Sequence, residues 1–143
     1  MIIFFDTSAL IKNYIEETGS EIVKQCIHQS TSVIVSSTTK IECFSVISRM
    51  MSNNEMTDEE ANYLHQQIVT DFLSFEVIPL NETLENIALE IVKKYQLRTL
   101  DAIQLASALN AHHIQHFYAS DTKLKIGAAA EGYSVIDPNE TQS

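Results

Sequence analysis

Apolar residues recur along this chain with two different periods. Short runs at Ile2–Phe5, Val33–Ser36, Glu76–Leu80 and His116–Ala119, with a weaker one at Tyr133–Ile136, alternate with longer stretches of helical spacing. The opening run is apolar at both parities, which marks a strand buried on both faces, as in the middle of a parallel sheet. Short strands alternating with amphipathic helices predict an α/β fold. The expected architecture is a central parallel sheet of four to five strands flanked by helices, an α/β/α sandwich.

The helical stretches are individually readable. Ile41, Phe44, Ile47 and Met51 fall at helical spacing before a break at Asn53-Asn54. Thr57 and Glu60 form a capping box, in which each side chain satisfies the other's free amide. Ala61, Leu64, Ile68 and Phe72 continue that helix on one face. After Asn81, the residues Leu84, Ile87, Ala88, Ile91, Val92 and Tyr95 make an apolar stripe. A helix from Leu100 to about His112 carries Ala102, Ala106 and Ala108, small enough for close approach to the sheet. The last helix starts at Thr122 and stops at Gly132, a left-handed cap. With three Gly and two Pro there is no linker or repeat, so one domain over residues 1–138 and a short polar tail over 139–143 are expected.

Four acids stand at the junctions of this pattern. Asp6 ends the first strand, Asp121 follows the fourth, and Glu42 and Asp101 lie in the first turns of helices. Each has a local explanation: Asp6 and Asp121 as helix N-caps, Glu42 as the partner of Thr39 in a capping box, Asp101 as an acid favoured by the helix dipole. Asp101 also heads a polar stripe with Gln104, Ser107 and Asn110 that reads as a solvated face. Jointly, the four would meet at the carboxyl edge of the sheet, where α/β proteins bind ligands. Carboxylates sharing a crevice raise one another's pKa or require a cation. Oxygen ligands of this kind suit Mg²⁺ or Mn²⁺.

Composition qualifies the picture. The 143 residues carry nine Lys+Arg against nineteen Asp+Glu, a net charge of -10, which argues against a broad nucleic-acid footprint. Lys12, Lys40, Arg98, Lys123 and Lys125 nevertheless all fall within six residues of one of the four acids. Cys26 and Cys43 lack metal-ligand or disulfide spacing and suit buried thiols in a reducing cytoplasm. No run is long enough to span a membrane, and the apolar start is too short for a signal peptide. His112, His113 and His116 straddle a predicted helix–strand change and so are not expected to share a metal.

The residues Asp6-Thr7-Ser8-Ala9-Leu10, Glu42 with Arg49, Leu100-Asp101-Ala102-Ile103-Gln104-Leu105-Ala106-Ser107-Ala108, Ser120-Asp121-Thr122-Lys123-Leu124 and Gly132-Tyr133-Ser134-Val135 resemble the PIN-domain family. The resemblance is to the VapC-like toxins of type II toxin–antitoxin pairs and covers residues 1 to about 138. It departs at Ala119, where relatives often carry a hydroxyl; Ser120 is adjacent. It implies a metal-dependent endoribonuclease with Asp6, Glu42, Asp101 and Asp121 as catalytic acids and ligands of Mg²⁺ or Mn²⁺. Ser8 would orient a carboxylate or a bound water from behind, and Lys12, Lys40, Arg49, Lys123 and Lys125 are candidates for RNA phosphate contacts, with solvated surface charge as the alternative. A protein antitoxin, seated near Ile22–Ile27 and Ile41–Met51, and a homodimer are also implied. The alternative function is a PIN-like binding module without catalysis, which retention of all four acids disfavours. A phospho-acceptor domain would need an acid after the third strand, where Asn81 stands.

Overall fold

The computed structural model describes residues 1–140. In chain order the elements are β1 (Ile2–Phe5), α1 (Thr7–Leu10), a 3₁₀ turn (Ile11–Asn13), α2 (Ser20–Gln29), β2 (Ser32–Ser36), α3 (Ser37–Ser52) and α4 (Asp58–Ser74). There follow β3 (Glu76–Ile78), α5 (Glu82–Tyr95), α6 (Thr99–Leu109), β4 (His116–Tyr118), α7 (Thr122–Ala130) and β5 (Val135–Ile136). The strands form one sheet in the order β3-β2-β1-β4-β5, every neighbouring pair parallel. β1 is therefore the central strand, and its residues are buried on both sides as its continuous apolar run requires.

Alternation along β1 divides the core. Ile3 and Phe5 face one layer with Leu10, Val23, Val33, Val35, Cys43, Ile47, Ile68 and Phe72. Phe4 faces the other with Ile34, Leu84, Ile91, Leu105, Phe117 and Leu124. Phe4 packs on Phe117 and Phe5 on Tyr118, each pair with ring centroids 4.9 Å apart. Each fully buried side chain of this size contributes about 1.5–3 kcal/mol, so both layers are held by several independent anchors.

Local departures from the sequence expectation have local causes. Helix α3 starts at Ser37, capped by the Ser36 side chain, and buries the row Thr39, Cys43 and Ile47. Ile41 lies two residues off that row and is 71% exposed, so it is no core residue. Strand β3 stops at Ile78 because Pro79 cannot extend a ladder. Helix α6 ends at Leu109 rather than near His112, ahead of His113 at φ 63°. The Thr57–Glu60 capping box is present, and Gly132 adopts φ 97°. Past the expected domain boundary, Glu140 reaches the Lys125 ammonium at 3.3 Å. Residues 141–143 of the expected tail lie outside the described residues.

Candidate active site

Strand order fixes where the site can be. From β1 the chain crosses to β2 on one side, while β4 returns to its other side, so the crevice opens at the carboxyl ends of β1 and β4. The Asp6 amide donates to the Tyr118 carbonyl at 3.1 Å, which carries the β1–β4 pairing up to the acid itself. The Asp6 carboxylate caps α1 by accepting from the Ala9 amide at 2.9 Å and takes the Ser8 hydroxyl at 2.8 and 2.7 Å. Ser8 Oγ in turn accepts from the Ser120 amide at 3.0 Å, tying the turn after β1 to the turn after β4. Asp6 is 3% exposed. Burial pushes its carboxyl up to about 7, against the opposing pull of Ser8 and the Ala9 amide, and the Asp101 charge adds to the rise.

Glu42 is held differently. Its Oε1 accepts from Thr7 Oγ1 at 2.9 Å and from Gln104 Nε2 at 3.1 Å, with Thr38 Oγ1 at 3.5 Å. Gln104 Nε2 also donates to Thr39 Oγ1 at 2.9 Å and Thr7 Oγ1 at 3.1 Å. The amide orientation follows from the charge, since the reverse orientation would set Oε1 against a carboxylate oxygen. Gln104 Oε1 is left buried without a donor among the described residues. Such an orphan costs about 1–3 kcal/mol, offset here by bonds to an ionised group, which are roughly twice as strong as neutral ones. The Thr39–Glu42 capping box is not formed, because Thr39 lies inside α3, and the stripe through Gln104 and Ser107 is buried rather than solvated.

Asp101 and Asp121 complete the crevice from the open side. Asp101, in the first turn of α6, is partly buried; burial and the charges of Asp121 and Glu42 raise its pKa, while Arg98 and Lys123 oppose the rise. Asp121 is exposed and caps α7 through the Leu124 amide at 2.9 Å. Behind the site, burial and the charges of Glu42 and Asp6 push the Cys43 thiol up to about 12. Asp101 thus feels the other three acids, and two N-cap roles coexist with that arrangement.

The expected phosphate contacts divide. Lys12 is 4% exposed and bound to Glu17 at 2.9 Å, so it is withdrawn from that role; nearness to Asp6 in sequence did not bring it to the crevice. Lys125 is engaged by Asp137 at 2.6 Å and Glu140 at 3.3 Å and is likewise withdrawn. Lys40 stands over the Phe72 ring at 5.9 Å, and Arg49 donates to Ser45 at 2.8 Å. Lys123 is exposed beside Asp101, as is Arg98, whose signal was its place three residues before that acid. His116 Nδ1 pairs with the Ser134 hydroxyl at 3.0 Å.

Among the described residues, no three Asp, Glu, His or Cys side chains stand close enough to enclose a metal ion. The donor chemistry still fits a hydrated hard cation, because Mg²⁺ takes one or two carboxylates and keeps several waters. A carboxylate as buried as Asp6, with Asp101 adding like charge, is a group a cation would stabilise.

Comparison with known proteins agrees with this fold. The family model described as PIN domain matches residues 3–129. The chain is 26% identical to "Ribonuclease VapC45" of Mycobacterium tuberculosis over 142 residues, covering 96% of this chain and 99% of that protein. Among solved structures it is similar in fold to FitAcB from Neisseria gonorrhoeae, with a TM-score of 0.72, 19% identity, and 99% and 100% of the two chains covered. It is also similar to Mycobacterium tuberculosis VapC20, described as a Sarcin-Ricin loop cleaving toxin, with a TM-score of 0.68, 19% identity, and 93% and 96% covered. With the match running from the first strand through most of the last helix, and with the parallel sheet and acidic crevice in place, the chain belongs to the PIN domain family.

Proposed function

We propose that this protein is a divalent-metal-dependent endoribonuclease that hydrolyses RNA phosphodiester bonds and acts as the toxin of a type II toxin–antitoxin pair. The observation that carries the reading is Asp6, a buried carboxylate at the carboxyl end of the central strand, held by Ser8 and the Ala9 amide within reach of the Asp101 charge. The similarity to proteins named ribonucleases supports RNA as substrate. Asp6 and Asp101 would hold Mg²⁺ or Mn²⁺, with Asp121 and Glu42 at the edges of the site. A bound ion of this kind lowers the pKa of a water and stabilises charge on a leaving oxygen. Glu42 turns its less engaged oxygen to the attacking water and accepts its proton. Ser8 keeps Asp6 in place from behind. Lys40, Arg49, Lys123 and Arg98 provide phosphate contacts around an otherwise acidic mouth.

An antitoxin is the proposed protein partner, as in the toxin–antitoxin complex from Klebsiella pneumoniae to which the fold is similar. An open cleft of about 630 Å³ is lined by Tyr14, Ile15, Met50, Met56, Tyr63 and Leu64 and rimmed by Glu16, Glu55, Glu59 and Glu60. It suits an apolar segment bearing basic residues. Homodimerisation is proposed through Leu80, Leu89, Val92 and Leu100, exposed apolar residues on and around α5 and α6. No helix among the described residues is long and apolar enough to cross a membrane, and the proposed location is the cytoplasm.

The test is cleavage of total cellular RNA by purified protein with Mg²⁺, with Mn²⁺ and with chelator, beside Asp101→Asn. Discrete fragments lost with chelation and with the substitution are expected. Intact RNA with every metal, from folded protein free of antitoxin, would defeat the proposal in favour of a binding module.

A further inference from the structure

We infer that Gln104 is a positioning residue for this site: held in place by Thr39, it joins Thr7 in saturating Glu42 Oε1, so that Glu42 works through Oε2 alone. The inference rests on the endoribonuclease reading. Its geometry is independent of the acids' titration. Gln104 is 2% exposed and Thr39 is fully buried, yet both are polar and both point into the space between α3, α6 and the turn after β1. One amide nitrogen serves three oxygens, at 2.9 Å to Thr39, 3.1 Å to Thr7 and 3.1 Å to Glu42. Thr7 Oγ1 lies 3.1 Å from Thr39 Oγ1 and 2.9 Å from Glu42 Oε1, closing the network.

Two consequences follow from hydrogen-bond capacity. A carboxylate oxygen receiving Thr7 and Gln104, with a third hydroxyl at 3.5 Å, has little left to offer an incoming ion or water. Glu42 is accordingly a one-oxygen participant, whereas a freely rotating glutamate could chelate with both. Gln104 itself cannot be exchanged for an acid, which would face Glu42 as a like charge, nor for an apolar residue without releasing Glu42 to swing. Groups that orient a site's carboxylates from behind typically change metal affinity or activity by about 10–100-fold when removed.

The experiment compares Gln104→Met, which keeps the length and removes both amide roles, with wild type in three measurements. These are Mn²⁺ affinity by calorimetry, the initial rate of total-RNA cleavage, and the metal-free melting temperature. The expected result is Mn²⁺ affinity and rate each down about 10-fold with an unreduced melting temperature, because the orphaned Oε1 leaves together with the lost bonds. Thr39→Val and Thr39→Ser form a second pair that holds even where Gln104→Met fails to fold. Valine is expected to lower both affinity and rate, and serine, which keeps the hydroxyl, to restore them. Wild-type affinity and rate in a folded Gln104→Met, or identical behaviour of the two Thr39 variants, overturns the inference alone. Wild-type protein that binds no Mn²⁺ and cuts no RNA overturns the endoribonuclease reading and this inference with it.

Discussion

The two sides of the crevice are built on opposite principles. On one side Asp6 and Glu42 are each fixed by hydrogen bonds from neighbouring hydroxyls and amides, through Ser8 and Ala9 for the first and Thr7 and Gln104 for the second. On the other, Asp101 and Asp121 are more open, and the charges opposing Asp101's raised pKa are those of Arg98 and Lys123. The fixed side has its geometry before any ligand arrives, which lowers the entropy of assembling a site. The open side is the more exposed to solvent, and so the more accessible to hydrated ions and a polyanion. For the proposed endoribonuclease, one closed wall and one open wall would let a bulky RNA backbone in.

The sharpest way to break this contrast is charge removal on each wall. Asp6→Asn and Asp101→Asn are both expected to lower RNA cleavage at least about 100-fold, the upper range for removal of even an outer partner of a metal. Retained cleavage in either variant, measured on total RNA with Mg²⁺, would dissolve the proposed pairing. On the fixed wall, Asp6 carries a stability signature of its own. The folded protein binds the Asp6 proton more tightly than the unfolded chain does, so this contribution to stability is full below about pH 3.8. It is lost as pH rises to about 7. Metal-free protein is therefore expected to lose a few kcal/mol across that interval, at about 1.4 kcal/mol per unit of pKa difference, and Asp6→Asn to flatten the profile. A chemical-denaturation series at several pH values reads this directly.

Smaller effects separate capping from charge on the open wall. Asp121→Ala is expected to cost about 1 kcal/mol through loss of the Leu124 amide partner, while Asp121→Asn retains the cap and loses only charge. Thermal melts of the two variants should differ while cleavage is low in both. Smallest of all, Lys123→Ala is expected to weaken RNA binding a few-fold and to lower the slope of log affinity against log salt by about 0.7, the share of one single-strand phosphate contact. Lys12→Met should leave that slope unchanged, because Lys12 is already committed to Glu17.

What the sequence made legible was whatever depends on local period. The double-parity apolar run gave β1 its central place, the Thr57–Glu60 spacing gave a helix start, and the acids could be placed at element ends because strands and helices end where their periods end. What it hid depends on contacts between distant segments. Gln104 in a polar stripe looked solvent-facing, and only the packing of α6 against β2 and α3 turns that stripe inward. Ile41 fitted a helical face but lies off the buried row once Ser36 caps the helix. Lys12 and Lys125 were close to acids along the chain, yet each found another partner in space. Proximity in sequence is a poor guide for long, flexible cations and a good one for short carboxylates at caps.

The strand order also sets a timetable. β1 is made first, but its second neighbour, β4, is nearly a whole domain away, as the contact from Ile2 to Gln115 across 113 residues shows. Parallel pairings of such long range form slowly and late. On a ribosome, Asp6 emerges long before Asp121 and waits beside an unpaired strand edge, and the two meet only when almost the entire domain is out. The crevice thus cannot exist in a half-made protein, and a truncated product of an interrupted translation carries no assembled site.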